Sequence, residues 1–511
     1  MTSTLRFSLL LIVLTVTAYY AILQFRVLRI PHPITQDEPG FIEITAAGNP
    51  YTTDGLLNHA NVYGPGYAFW ARPFTAIVPN PYIAHRWASS VALFFSIGLL
   101  AWLARRAGIG VIETAAGVAV VYILNVSSHS LAASADLLGA ALYLASLAVS
   151  RRGTWPALAM GLVLIACATL TKPYFALGWI IVATHLLFFA PPRRTWGYVG
   201  LSIACGLVMA GLLRFFAPLY FLSTFHVQSA ASSRSFHLLV NQSLEFAVLA
   251  GGVIALAVLQ RPKRRVATFA LSTPPLSPAP DFWTWASLVS TAGLLGSLGW
   301  HSGNYLVYFY HLLLGPLVLA ALANLRTWPR LGISLLAANL LVLGYFLPNQ
   351  PANDNWDVLA VDIAETPGSI LADPLLEAFT HDRPNLELFS HGQTASVLQT
   401  LDNSVPHVPA AYADLHRALL RSEEKLSGRI RLAEFSAIYL SYQDIGKGSA
   451  WSYEHRNTIE AIRARYRIVR EIVIYPYATP YWDRMQHGRY PYHITRWEPR
   501  KTPINLAEFN R

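Results

Sequence analysis

Eleven apolar runs, each close to the length of a membrane-spanning helix, occupy the first two thirds of the sequence. They lie at 7–26, 82–104, 107–125, 131–150, 155–171, 174–190, 197–222, 238–260, 282–300, 303–325 and 330–348. Crossing the hydrocarbon core of a bilayer takes about 20 residues of helix, and a helix satisfies its own backbone hydrogen bonds there. Charged residues are only 13% of the chain. The sequence therefore predicts a polytopic α-helical membrane protein with about eleven transmembrane helices.

Basic residues give these predicted helices an orientation. If the N-terminus is cytoplasmic, every predicted inner loop is basic, as the positive-inside rule requires. These loops contain Arg105-Arg106, Arg151-Arg152, Arg193-Arg194, the run 261–265, and Arg326 with Arg330. The net charge of +10 is then explained by helix orientation and not by nucleic-acid binding. The run 7–26 is longer than the apolar core of a signal peptide and no small-x-small site follows it, so we expect a retained anchor.

The composition changes after the last apolar run. Residues 350–511 have an ordinary charge content and no run of spanning length. Short β-rich runs at 369–373, 435–442 and 466–475 alternate with helical patterns near 409–425 and 452–465. With an odd number of spans this part lies outside the cell. We therefore predict a transmembrane domain at 1–349 and an extracytoplasmic α/β domain at 350–511.

The longest predicted outer loop, 29–81, is called the long loop below. It carries the polar stretch Gln36-Asp37-Glu38-Pro39-Gly40-Phe41, the turn Tyr63-Gly64-Pro65-Gly66-Tyr67, and Arg72. Here the chain resembles the GT-C glycosyltransferases, a class that includes protein O-mannosyltransferases and the aminoarabinose transferase of lipid A. The resemblance covers roughly residues 1–370 and is strongest over 36–87. It departs at Pro39, at Phe41 where Tyr is commoner, and at Gly64 where a second Pro is usual.

The resemblance implies an inverting, GT-C-like membrane enzyme that moves a sugar from a polyprenyl-phosphate donor to an acceptor hydroxyl on the periplasmic side. It also implies that the acceptor is a glycan, lipid or protein, and that the enzyme lies in the bacterial inner membrane. Activating a hydroxyl needs a base, and a departing phosphate needs positive charge. The implied residues are Asp37, Glu38 and Asp136 for catalysis, Lys172, His301, Asn304 and Tyr305 for the donor phosphate, and Tyr63, Tyr67 and Arg72 for the acceptor or the loop. Whether Asp37 and Asp136 hold a divalent cation, Mg²⁺ or Mn²⁺, stays open.

Each of these residues also has a structural interpretation. The acidic pair can solvate the start of a helix, Asp136 can be an N-cap, and Lys172 can extend its ammonium to the membrane surface. Arg86, like Arg72, is expected to be a surface or snorkelling base, with phosphate binding as the alternative. For the whole chain the alternatives are a transporter or flippase of lipid-linked glycans, or a glycan polymerase or ligase.

Overall fold

A computed structural model describes most of the chain. The described residues are 2–34, 38–47, 51–59, 64–127, 135–226, 236–259, 281–296, 308–345, 355–373, 383–389, 412–441, 456–474 and 492–501, with isolated positions between them. The helices that precede the sheet are α1 (Thr2–Val27), α2 (Glu38–Ala47), α3 (Thr53–His59), α4 (Gly66–Thr75), α5 (Pro81–Arg106), α6 (Val111–Ser127), α7 (Asp136–Ser150), α8 (Trp155–Thr169), α9 (Leu177–Phe189), α10 (Pro192–Phe216), α11 (Phe236–Leu249), α12 (Gly251–Val258), α13 (Phe282–Gly296), α14 (Leu314–Asn324), α15 (Pro329–Tyr345) and α16 (Trp356–Glu365).

Each predicted apolar run contains helix. Within the described residues, three helices are long and apolar enough to cross a membrane, namely Ser3–Val27, Pro81–Arg106 and Pro192–Phe216. A fourth span is formed if α11 and α12, which meet at a bend of 82°, are counted together. The other apolar helices have 10–17 residues. The prediction of a mostly helical protein with several apolar helices is confirmed, and the number of eleven spans stays a prediction.

The bend between α11 and α12 is held by one side chain of α15. Asn339 donates from Nδ2 to the Leu249 carbonyl at 2.9 Å and accepts from the amides of Gly252 at 2.9 Å and Val253 at 3.2 Å. These backbone groups lose their helical partners at the break, and unpaired groups are costly in a bilayer. A Cβ at Gly252 would overlap the Leu335 carbonyl oxygen, so α12 and α15 need this glycine for their close approach.

Side-chain contacts join three helix ends at one end of the helix bundle. Arg6 in α1 lies 2.7 Å from Glu113 in α6, and Arg326 donates to the Ala107 carbonyl. The beginning of α1, the α5–α6 turn and the end of α14 are thus neighbours. Two of the predicted inner loops therefore lie at the same end of the bundle as the beginning of α1, while the topology itself stays a prediction.

A five-stranded sheet forms the last part of the chain. Its strands are β1 (Ile370–Ala372), β2 (Leu386–Leu388), β3 (Ala437–Leu440), β4 (Tyr466–Ile474) and β5 (Tyr492–Pro499), in the order β2-β1-β3-β5-β4. Strands β2, β1 and β3 are parallel, and β5 is antiparallel to β3 and β4. Two further helices are α17 (Ala413–Arg431) and α18 (Arg456–Arg465). Helix α16 packs on one face of the sheet, and α17 and α18 pack on the other.

Candidate active site

A buried ion pair beneath the long loop joins the start of α2 to α5. Glu38 and Arg86 are both fully buried. The guanidinium donates from Nε to Glu38 Oε1 at 2.8 Å and from Nη2 to Oε2 at 2.7 Å, and the Ile34 amide donates to the same Oε2 at 2.7 Å. Bidentate, charge-assisted hydrogen bonds of this kind are strong and directional. Glu38 therefore has a fixed position in the structure.

The other donors of Arg86 hold the connection between α1 and α2. They bond the carbonyls of Val27 at 3.3 Å, of Ile30, and of His32 at 2.6 Å. The expectation that Arg86 is a surface or snorkelling base is wrong, because its guanidinium is enclosed by the carboxylate and carbonyls that it binds. Asp37 lies outside the described residues, one peptide bond before Glu38.

A second buried cluster centres on Asp136, the first residue of α7. Its carboxylate lies 2.8 Å from Lys172 Nζ, accepts a hydrogen bond from the Tyr174 hydroxyl, and lies 3.7 Å from His311 Nδ1. All of these side chains are largely buried. The residue at the N-cap position is Ala135, so the interpretation of Asp136 as an N-cap is wrong. The structure brings together two residues that the sequence singles out, Asp136 and Lys172, while their roles stay predictions.

Local backbone features bring the side chains around Asp136 close together. Pro173 prevents α8 from continuing into the next helix. It begins a 3-10 turn at Pro173–Ala176, which contains Tyr174. At Gly139 a Cβ would overlap the Phe175 ring and the Thr171 hydroxyl, so glycine lets α7 approach this turn closely. His311 lies in a π-helical turn, Phe309–Leu313, of a kind that often occurs at functional sites.

The glycine turn of the long loop is bonded to the residues just before Lys172. The Gly64 amide donates to the Thr171 carbonyl at 3.2 Å, and the Gly66 amide donates to the Leu170 carbonyl at 2.9 Å. A Cβ at Gly64 would overlap the Leu170 carbonyl oxygen. Proline, which is usual at this position in the resembled family, has no N–H and could not donate the first bond. The presence of glycine at position 64, where the resembled family usually has proline, thus has a physical reason.

Two other residues predicted for the site, Tyr67 and Arg72, are among the described residues. Tyr67 is buried, its hydroxyl lies 3.2 Å from His85 Nδ1, and its ring meets Phe41 edge-on at 5.2 Å. Arg72 is exposed and lies over the Phe69 ring. Tyr67 and Phe41 pack with Ala135, next to Asp136. The remaining predicted positions, which lie outside the described residues, are Asp37, Tyr63, His301, Asn304 and Tyr305.

Three residues in or near these clusters are absent from the sequence-based site. Tyr174 and His311 contact Asp136, and Glu43 lies on α2 beside the acidic stretch. Tyr174 could have been found from its position two residues after Lys172, whereas a single histidine in an apolar run gives little signal. Burial raises the pKa of Glu43 to about 7. Glu43 is therefore a carboxyl group of the long loop that titrates near neutral pH.

The donor set around Asp136 bears on the predicted metal. Its carboxylate is already engaged by an ammonium group and a hydroxyl donor, and a divalent cation at the same oxygens would be repelled by Lys172. Within the part of the chain that the structure describes, no three His, Cys, Asp or Glu side chains form a metal-binding group. Asp136 thus does not fit the metal that the resemblance leaves open, and a metal at Asp37 stays a prediction.

Comparisons with known proteins give two similar solved structures. No protein-family model matches the sequence, and no curated protein sequence matches it. One structure is ArnT from Cupriavidus metallidurans in the apo state, with 13% identity and a TM-score of 0.48 over 95% of this chain and 97% of that one. The other is ArnT from the same bacterium bound to undecaprenyl phosphate, with 15% identity and a TM-score of 0.42 over 88% of this chain and 74% of that one. ArnT is a lipid A aminoarabinose transferase, a GT-C glycosyltransferase.

Proposed function

We propose that this chain is a membrane glycosyltransferase of the GT-C class, which transfers a sugar from a polyprenyl-phosphate donor to an acceptor hydroxyl. The observation that carries the proposal is the largely buried Asp136–Lys172 pair, beside which the glycine turn of the long loop is bonded to the carbonyls of Leu170 and Thr171. The turn belongs to the same loop as Asp37 and Glu38. The carboxylate and the cation that this chemistry needs are therefore supplied by one loop and the helix ends that it contacts.

Asp37 takes the role of the base that removes the proton of the acceptor hydroxyl. A single attack of this oxygen on the anomeric carbon breaks the bond to the phosphate and inverts the configuration. Glu38 does not share this role, because Arg86 and the Ile34 amide occupy both of its oxygens. Its contribution is to fix the main chain next to Asp37.

Lys172 supplies positive charge to the phosphate that leaves. Asp136 compensates this charge in the absence of donor and keeps the ammonium group in place, while the Tyr174 hydroxyl donates to Asp136 and His311 Nδ1 lies 3.7 Å from it. Charge arranged in advance in a partly buried site stabilises a developing anion without reorganisation. The partners are thus a polyprenyl-phosphate sugar, membrane lipid and a hydroxyl-bearing acceptor. The site faces the periplasm from the bacterial inner membrane, with the α/β domain on the same side.

Transfer in proteoliposomes tests this proposal. Deleting the gene and analysing envelope glycans by mass spectrometry identifies the missing sugar. The purified protein then receives the undecaprenyl-phosphate derivative of that sugar and an envelope extract of the deletion strain as acceptor. We expect Asp37→Asn and Lys172→Ala to lower the initial rate by about 100-fold or more.

A matched control is Asp414→Asn, since Asp414 is an exposed carboxylate of α17 that pairs with Arg417. This variant should transfer at the wild-type rate. Near-normal transfer by a folded Asp37→Asn protein would contradict the proposed role of Asp37. Absence of transfer by the wild-type protein would contradict the proposed function itself.

One observation favours the alternative of a transporter or flippase. Broken membrane helices frequently form the binding sites of transporters, and α11 and α12 meet at 82°. Helix α11 also carries two buried polar residues, Gln242 and Glu245. The same proteoliposomes distinguish the two functions, because a flippase moves fluorescent undecaprenyl-phosphate sugar between leaflets without releasing undecaprenyl phosphate.

A further inference from the structure

Trp356 connects the C-terminal α/β region to the connection between α1 and α2. It is the first residue of α16, and its indole stacks on the imidazole of His32, with ring centroids 4.4 Å apart and planes at 29°. Both side chains are buried. Stacked aromatic contacts are stabilising beyond the area that they bury. The contact is thus specific enough to hold His32 in one position.

The main chain of His32 is part of the buried ion pair. Its carbonyl accepts from Arg86 Nη2 at 2.6 Å, and the same nitrogen lies 2.7 Å from Glu38 Oε2. A shift of His32 therefore changes the geometry of the nitrogen that holds Glu38. Asp37 is the residue directly before Glu38 in the sequence.

A second contact joins the C-terminal region to the long loop beyond α2. Leu56 of α3 and Leu222 pack together with apolar side chains of that region, which are Val397, Leu398, Leu401, Leu415 and Leu419. His32 precedes α2 and Leu56 follows it. The acidic part of the long loop is thus held at both ends by the C-terminal region.

We propose that Trp356 is a positioning residue for the buried Glu38–Arg86 pair, and that the C-terminal region is a structural part of the active site. This inference rests on the proposed function, because it takes Asp37 as the base. Trp356 acts through His32 and Arg86 and does not contact the substrate. If the contact served docking alone, its loss would lower stability and leave the turnover of the folded protein unchanged.

Steady-state kinetics of His32→Ala, Trp356→Ala and the double variant test the proposal in the proteoliposome assay. We expect kcat to fall about 10- to 100-fold, the cost of a small misplacement of a reacting group. The KM for the undecaprenyl-phosphate sugar should stay within about twofold, since the donor contacts are unchanged. The double variant should lose no more than either single variant, because both remove the same contact. Trp356→Phe, which keeps a ring against His32, should recover most of the lost kcat.

The control variant is Phe379→Ala. Phe379 packs on Trp356 with ring centroids 5.7 Å apart and belongs to the core of the C-terminal region. Phe379→Ala removes a core contact of Trp356 and leaves the stack of Trp356 on His32, so the kcat of this variant should be close to that of the wild type. If Trp356→Ala does not fold, His32→Ala and Trp356→Phe carry the test.

A wild-type kcat in folded His32→Ala, additive losses in the double variant, or an equal loss in Phe379→Ala would each overturn the proposal. Failure of the wild-type protein to transfer sugar is a different result, which contradicts the proposed function. The two failures are therefore distinguishable within one set of assays.

Discussion

Glu38 and Asp136, two acidic residues that the sequence singles out, are each buried beside a cation. The helix topology predicts from sequence that Asp136 and Lys172 lie at the same end of the bundle, and they are in contact. The sequence does not predict that Arg86 binds Glu38 or that His311 approaches Asp136. Such pairs depend on how helices that are distant in the chain pack together, which residue pattern alone does not record.

Replacing Glu38 separates a positioning role from a chemical one. Glu38→Gln leaves the guanidinium of Arg86 buried without its counter-charge, and breaking a buried pair on one side costs about 3–5 kcal/mol. We expect a lower midpoint of thermal unfolding in detergent together with reduced transfer. Asp37→Asn should reduce transfer at an unchanged midpoint. A Glu38→Gln protein with the wild-type midpoint and no transfer would instead place Glu38 in the chemistry.

At the scale of helices and strands, the apolar runs and β-rich runs locate most elements. They locate a helix in every apolar run, and they locate β1, β3, β4, α17 and α18 approximately. The run 238–260 is predicted as one helix, whereas the structure breaks it before Gly251. Adjacent glycines mark the break in the sequence, but the cap from Asn339 comes from another helix. Strands β2 and β5 are missed, because one has only three residues and the other is rich in charged and polar residues.

Gly64 tests whether the long loop controls the position of Lys172. In Gly64→Ala the new Cβ would overlap the Leu170 carbonyl oxygen, and the turn has to move away from the end of α8. We expect kcat to fall about tenfold or more, because Lys172 follows this segment directly. Gly98→Ala is the matched control, since a Cβ at Gly98 meets nothing within 4 Å. Equal rates for the two variants would show that the turn does not position the site.

The whole molecule has two ends that differ in chemistry. One end contains the Arg6–Glu113 pair and the Arg326 contact with the α5–α6 turn. The other contains the Glu38–Arg86 pair, to which the end of α1 is bonded. The apolar helix α1, which is long enough to cross a membrane, connects the two, so the predicted topology places them on opposite sides of a bilayer. The basic loops predict from sequence which end is cytoplasmic, but the packing of the C-terminal region on the long loop has no such signal.

Cysteine labelling from one side of the membrane tests this orientation. Val111 at the start of α6 and Leu432 after α17 are both exposed, and they belong to the end near Arg6 and to the C-terminal region respectively. A background without Cys167 and Cys205 that still transfers sugar receives one new cysteine at a time. In intact spheroplasts a membrane-impermeant maleimide should label Leu432→Cys and should label Val111→Cys only after permeabilisation. The positive-inside rule predicts this result, since the basic loops remain in the cytoplasm. The reverse pattern would place the acidic stretch and Lys172 in the cytoplasm, where a donor presented at the outer leaflet could not reach them.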